Sequence, residues 1–267
     1  MRWAVLSLLF VGVGPLGAES KSRAEIEHFL ATAIVLEVED IGVGVSNPWK
    51  VILARKGQKV PTIFKYLDQK KDAKTRFGSE VVEEYSDSYR HELAAYELDK
   101  LWDLNVLPVA VSRRVNGRSG VLREWADEVQ AQYGHGQTPP NLEKMRDWRH
   151  VIWLFDFLIS NMDRRTRNFL MRPDWTPILI DHSLAFTTYQ KSVRPLYRFP
   201  KEFVDRLERV DEGDLRKAMA PYLGGKQIDA LVARRQNVLE LVAARVASVG
   251  AEETFFLLEN LRNSVKK

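Results

Sequence analysis

A chain of 267 residues, 45% hydrophobic and 28% charged, has the make-up of an ordinary globular protein, with enough length for one large core or two modest ones. The formal charge of +4 is mild, and basic and aromatic residues do not interleave as in nucleic-acid-binding modules, so nucleic acid is not expected as a partner. With no cysteine there are no disulfide staples and no cysteine-based zinc sites, while the redox compartment stays open.

The chain opens with an apolar stretch from Trp3 to Gly17, preceded by Arg2 and followed by Ala18. It is too short and glycine-broken for a transmembrane span and has the anatomy of a secretory signal peptide over residues 1–18. The mature protein is therefore expected to be exported, periplasmic or secreted, or membrane-anchored if the segment is retained. Residues 22–33 read as a short helix. Residues 43–45, 51–53 and 62–64 are strand-like runs rich in β-branched residues, separated by turn signals at Ser46-Asn47-Pro48 and Lys56-Gly57-Gln58. They predict a three-stranded antiparallel meander. A charged, poorly periodic segment follows over 68–84, with Lys70, Lys71, Lys74 and Arg76 clustered in it.

Helical spacing of Leu93, Leu101 and Leu104 predicts a helix over 89–105, capped by Asp87 or Ser88 and closed by Asn105 and Pro108. Two more strands, 109–115 and 120–125, flank the hairpin turn Asn116-Gly117. The loop from Gly134 to Pro140 separates a β-rich half from a helical one. The helix predicted over 143–160 carries Met145, Trp148, Ile152, Phe155 and Ile159 on one face. Short strands at 168–171 and 177–180 surround Arg172-Pro173-Asp174, and beyond about residue 200 the pattern is helical, including 227–249, with no strand candidate. The fold class is α+β: a β-rich lobe over 22–130 with one helix, then a mostly helical lobe over 141–267.

Chemistry concentrates in residues 156–186, DFLISNMDRRTRNFLMRPDWTPILIDHSLAF. Asp163 is followed five residues later by Asn168, and Asp181 ends the apolar run Ile178-Leu179-Ile180. Phosphoryl transfer needs a carboxylate at the attacking hydroxyl and oxygen ligands on the metal that neutralises the phosphates. The D-x-x-x-x-N spacing with a later aspartate supplies these in order. Asp163 is the candidate catalytic residue, and Asn168 with Asp181 suits Mg²⁺ or Mn²⁺, a hard cation taking few protein oxygens. An aspartate beside a core strand is costly unless paired or ligated. His182, next to it, reads as structural. Arg164, Arg165 and Arg167 lie inside the motif and can attract an anionic substrate.

Upstream, Lys65 ends the strand TIFKYL, where alternation can point its ammonium into a cleft, and Glu92 in RHELAAYELD is placed to pair with it. Gly42 and Gly44 in IGVGVSNPW offer backbone amides to phosphate, with Asn47 where a third glycine would complete G-x-G-x-x-G. Gly44 is thus a candidate nucleotide contact, and a plain hairpin an equal reading. The absence of G-x-x-x-x-G-K-[ST], H-E-x-x-H and G-x-S-x-G removes the P-loop, zincin and serine-hydrolase readings.

ELAAYELDKLWDLNVLPVAV, DFLISNMDRRTRN and ILIDHSLAF together resemble the secretory-pathway, Golgi casein kinase-type kinases and their bacterial relatives. These are atypical kinases distantly similar to HipA-type and phosphatidylinositol-kinase-type enzymes. The likeness runs over residues 41–186. It implies a bilobal protein-kinase-like fold, ATP as cofactor, Lys65 on the nucleotide phosphates, Glu92 orienting that lysine, Asp163 as catalytic aspartate, and Asn168 and Asp181 on the metal. Many members carry paired cysteines; this chain has none, which points to a compact bacterial-type version. The expected activity is transfer of the γ-phosphoryl group of ATP to a hydroxyl acceptor, a protein Ser/Thr slightly ahead of a glycan or lipid. The rivals are a non-catalytic nucleotide-binding module and a nucleotidyl-transferring enzyme on the same fold.

Overall fold

The computed structural model describes residues 22–42, 47–71, 75–77, 80–82, 85–125, 141–172, 174–189 and 194–262. The signal-like segment, Gly44, the strand expected at 43–45 and the boundary loop at 134–140 lie outside them.

Helix α1 (Arg23–Thr32) starts at a reciprocal cap, in which Ser22 and Glu25 each accept from the other's backbone. Three strands follow as an antiparallel meander: β1 (Val35–Asp40), β2 (Trp49–Arg55) and β3 (Gln58–Lys65). The meander matches expectation, but its described first strand lies ahead of 43–45. Val35-Leu36-Glu37-Val38-Glu39-Asp40 is an edge strand with little burial, so its polar character concealed it. Val51 and Leu53 of β2 and Phe64 of β3 are fully buried.

The charged stretch after β3 is not irregular. Backbone hairpins pair β4 (Asp68–Lys71) with β7 (Tyr85–Ser88), and β5 (Thr75–Phe77) with β6 (Glu80–Val82). The register Asp68↔Ser88 brings the chain back from the end of β3 to the start of α2 (Tyr89–Leu101), whose N-cap is Ser88. Helix α2 ends before the expected Asn105, because Asp103 and Asn105 take positive φ of 48° and 55°.

Strands β8 (Ala110–Val115) and β9 (Arg118–Glu124) form the expected hairpin, with Asn116 and Gly117 both at positive φ as its two-residue turn requires. β9 then pairs with β3, giving a five-stranded antiparallel sheet in the order β1-β2-β3-β9-β8. Gly120 permits that closure: a Cβ there would lie 2.3 Å from the Lys65 carbonyl oxygen and 2.6 Å from the Phe64 ring. Helix α2 packs on β8 and β9.

Helix α3 (Leu142–Leu158) buries Met145, Trp148, Ile152 and Phe155, as predicted. A short hairpin, β10 (Phe169–Met171) with β11 (Pro177–Leu179), follows it. β12 (Phe199–Pro200), α4 (Lys201–Arg209), α5 (Glu212–Met219), α6 (Gly225–Val249), α7 (Ala251–Thr254), β13 (Phe255–Phe256) and α8 (Leu258–Arg262) complete the chain. The expectation of no strand beyond residue 200 fails at β13, which pairs in parallel with β12. Two residues are too few to leave a periodic signature. Trp102, at the end of α2, packs on Phe155 of α3 and Phe203 of α4. The sheet-rich and helical parts thereby share one hydrophobic core.

Candidate active site

Lys65 sits where β3 runs out against β9, paired with Val121. Lys65 is 6% exposed, and Glu92, one turn into α2, is 5% exposed. The Lys65 ammonium donates to Glu92 Oε1 at 2.5 Å and to Asp181 Oδ1 at 2.8 Å. Burial alone would strip the lysine of its proton, but Glu92 and then Asp181 outweigh it and raise its pKa. Burial would likewise protonate Glu92; Lys65 first, and His182 after it, hold its carboxyl well below the usual range. The pair predicted from strand lysine and helix glutamate is therefore formed and charged.

Asp181 follows β11 at a φ of 65°, uncommon for a residue with a side chain. That turn takes the chain out of the strand and lets the half-exposed carboxylate reach Lys65. The register Phe169↔Leu179 and the bond from Ile180 N to Asn168 O (3.1 Å) set Asn168 and Asp181 just beyond matching ends of one hairpin. Asn168 is buried, and its Nδ2 donates to the Asp163 carbonyl at 3.4 Å, which leaves the amide oxygen as the end available to a metal. Asp163 lies in the loop after α3, its backbone N–H on Asn161 Oδ1 at 3.3 Å and its carboxylate on Arg165 at 2.6 Å. The structure thus gathers Lys65, Glu92 and Asp181 directly, and holds Asn168 and Asp163 on the backbone frame beside them.

This donor set fits a divalent cation of the Mg²⁺ or Mn²⁺ kind. It offers a carboxylate and an amide oxygen at adjoining chain ends, and no cluster of three or more His, Cys, Asp or Glu forms a metal cage among the described residues. Such an ion completes its shell with phosphate oxygens and water.

Arg164 departs from expectation. It is not presented to an anionic substrate but is only 14% exposed in its side chain, and all five guanidinium N–H groups have acceptors. Nε and Nη2 donate to the two Asp156 oxygens at 3.0 and 2.8 Å. Nη1 donates to the carbonyls of Asn168 and Ile180, both at 2.9 Å. Nη2 also meets His182 Nε2 at 2.8 Å. His182 must accept there, so its proton sits on Nδ1, 3.6 Å from Glu92 Oε2. Burial depresses its pKa, keeping the ring neutral. Its structural reading is borne out.

Arg123 on β9 was not singled out from sequence. It is 6% exposed, its Nε has no hydrogen-bond partner among the described residues, and it lines a small cavity with Glu92 and His182. Two buried cations, Lys65 and Arg123, are thus set against buried Glu92 and half-exposed Asp181. Only its place directly after the apolar pair Val121-Leu122 could have signalled it.

No protein-family model and no curated protein sequence matches the chain. Solved structures do. A crystal structure of the Golgi casein kinase with Mn/ADP bound matches with a TM-score of 0.61 at 14% identity, over 88% of this chain and 78% of that one. A structure of hydra Fam20 with sugar matches with a TM-score of 0.62 at 13% identity, over 88% and 92%. A second Golgi casein kinase structure gives 0.62 at 14%, over 87% and 78%. The chain has an atypical-kinase fold. That likeness reaches beyond residues 41–186 and takes in much of the helical tail.

Proposed function

We propose that the protein is a metal- and ATP-dependent kinase that transfers the γ-phosphoryl group to a hydroxyl acceptor, a protein Ser/Thr ahead of a glycan or lipid. The observation that carries this reading is the buried Lys65–Glu92 pair with Asp181 at 2.8 Å, on the same frame as Asn168 and Asp163. The Mn/ADP bound to the Golgi casein kinase structure supports nucleotide and metal as cofactors. When bound, Mg²⁺ or Mn²⁺ on Asn168 and Asp181 would neutralise phosphate charge. Glu92 keeps Lys65 protonated and aimed at the same space, so the ammonium can move from Asp181 to phosphate oxygens without losing its counter-ion. Asp163 orients the acceptor hydroxyl and takes its proton, with Arg165 giving up the carboxylate to the acceptor. Export, resting on the signal-like start, and kinship with bacterial relatives of the Golgi casein kinase group complete the reading.

The test is turnover of γ-labelled ATP with Mg²⁺ or Mn²⁺, beside Asp163→Ala and Asp181→Ala. Label transfer or hydrolysis should fall at least about 100-fold in both variants, and Asp181→Ala should also lose metal-dependent nucleotide binding. Metal-dependent ATP binding without turnover would replace the reading with a nucleotide-binding module. A target heavier by a nucleotide rather than a phosphate would make it a nucleotidyl transferase.

A further inference from the structure

A groove of about 550 Å³ opens on the far side of the first turn of α2, walled by β4, β7, the segment after Ser183, and the chain from 220 to 227. This is the size range of small-molecule sites. Its charge is one-sided. Among the described residues, Lys70, Arg90 and Lys226 face it, against a single carboxylate, Asp68. That carboxylate is committed: it accepts from Ser88 Oγ at 2.7 Å and from Arg90 Nε at 3.1 Å. Lys70 and Lys226 make no ion pair or hydrogen bond with any described residue, so two free ammonium groups and one part-used guanidinium share one concavity. Ser86 and Thr188 line the same groove, and Thr188 is exposed.

The groove also touches the catalytic frame. Ser183, two residues past Asp181, accepts at its carbonyl from Ser88 N at 3.0 Å and from His91 Nδ1 at 2.8 Å. His91 is buried, lines the groove, and is the neighbour of Glu92. Its Nε2 faces Gln227 Nε2 at 3.1 Å, and Gln227 in turn donates to the Phe186 carbonyl at 3.0 Å. Anything that fixes this wall therefore fixes the first turn of the Glu92 helix against the segment that carries Asp181.

We propose that this groove is a second, regulatory site that takes a phosphomonoester on Lys70, Arg90 and Lys226 and so locks the Glu92 helix in register with Asp181. A phosphomonoester carries close to two negative charges and three acceptor oxygens, matching the free donors better than a single carboxylate does. Lysines bind it as point charges while the guanidinium adds directed N–H groups. The volume exceeds a phosphate group and leaves room for what bears it. Two sources have the same chemistry: a phosphate on Thr188, whose side chain already lines the groove, or a free phosphorylated small molecule. Binding does not depend on the kinase reading; only its consequence for Lys65 and Glu92 does.

The experiment uses the full chain and needs no catalysis. In one arm, thermal melting is followed as inorganic phosphate replaces chloride at fixed ionic strength, in wild type and in Lys70→Ala/Lys226→Ala. In the other, phosphothreonine is installed at position 188 by genetic code expansion, in both backgrounds, without added phosphate. Wild type should gain about 5 °C when the site is near saturation, and the double variant should lose most of that gain. A gain in the first arm identifies a free ligand, and a gain in the second alone identifies Thr188. No gain in either arm, or a gain that survives in the double variant, overturns the proposal. Failure of ATP turnover would leave these melting curves unchanged, so the two readings fall separately.

Discussion

Lys65, Glu92 and Arg123 are three charged groups in a space that water barely reaches, with the half-exposed Asp181 at its edge, and each buried one is tolerable there only because of the others. Removing one member of a buried pair usually costs about 3–5 kcal/mol, since its partner is left charged and unsolvated. Lys65→Met should therefore lower stability by about 3 kcal/mol and also depress ATP turnover at least about 100-fold. Denaturant midpoints and γ-labelled turnover would read the two losses. A variant that melts like wild type would show that Glu92 is held by Arg123 and His182 instead. Arg164 makes a different demand, because its five contacts need a planar fork. Arg164→Lys keeps the charge but reproduces at most part of the geometry, leaving Asp156 and two carbonyls short of donors. A loss of about 3 kcal/mol in urea unfolding is expected, and a change within about 0.5 kcal/mol would mean that the loop is held by other contacts.

At the scale of elements, the helix carrying Glu92 is braced from behind by α1. Arg23 Nη2 reaches Asp99 Oδ2 at 2.6 Å, Glu27 accepts from Tyr96 at 2.8 Å and from Lys100 at 3.0 Å, and Arg113 donates to the carbonyls of Leu30 and Ala33. Asp99 is fully buried; burial raises its pKa against the pull of Arg23 and of the Val106 N–H. Arg23→Ala should lower stability by about 3 kcal/mol and speed hydrogen exchange across residues 96–104 more than across α6. Uniform exchange would instead indicate a purely global loss. This brace was invisible in the sequence, because Arg23 and Asp99 are 76 residues apart and neither position is unusual by itself. Gly120 was illegible for the same reason: its need to lack a side chain exists only once β9 lies on Lys65. That Lys65, Glu92 and Asp181 would meet was legible because the kinase reading sets the types and order of its charged residues, and the structure brings these three into contact. Helices α2 and α3 were legible because their apolar spacing is strong. The hairpins between β3 and α2 were not, since their charged sequences carry no apolar alternation to read.

The molecule as a whole carries an acid sensitivity that its net charge does not suggest. Burial depresses the pKa of His91, His150 and His182, and for His150 the nearby Arg198, Arg146 and Arg149 add to it, taking the ring down to about 4. His91 and His182 accept hydrogen bonds that a proton would break, while neither nitrogen of His150 has a hydrogen-bond partner among the described residues. The sign follows from linkage: each histidine has a lower pKa folded than unfolded, so the unfolded chain binds more protons as pH falls. Their contribution is complete above the ordinary histidine pKa of 6.5 and drains away below it, for His150 down to about 4. Within that window each histidine can remove up to about 1.4 kcal/mol per pH unit. Urea midpoints should therefore hold steady from pH 8 to 7 and fall from pH 6.5 to 4.5. His150 packs edge-on against Tyr197 at 4.5 Å and Trp153 at 5.4 Å, contacts that a phenyl ring can keep. His150→Phe should leave stability at pH 8 little changed and flatten the fall between pH 6.5 and 4.5 by up to about a third. An unaltered slope would assign the acid sensitivity to His91 and His182, the two rings that tie α2 to the segment around Asp181.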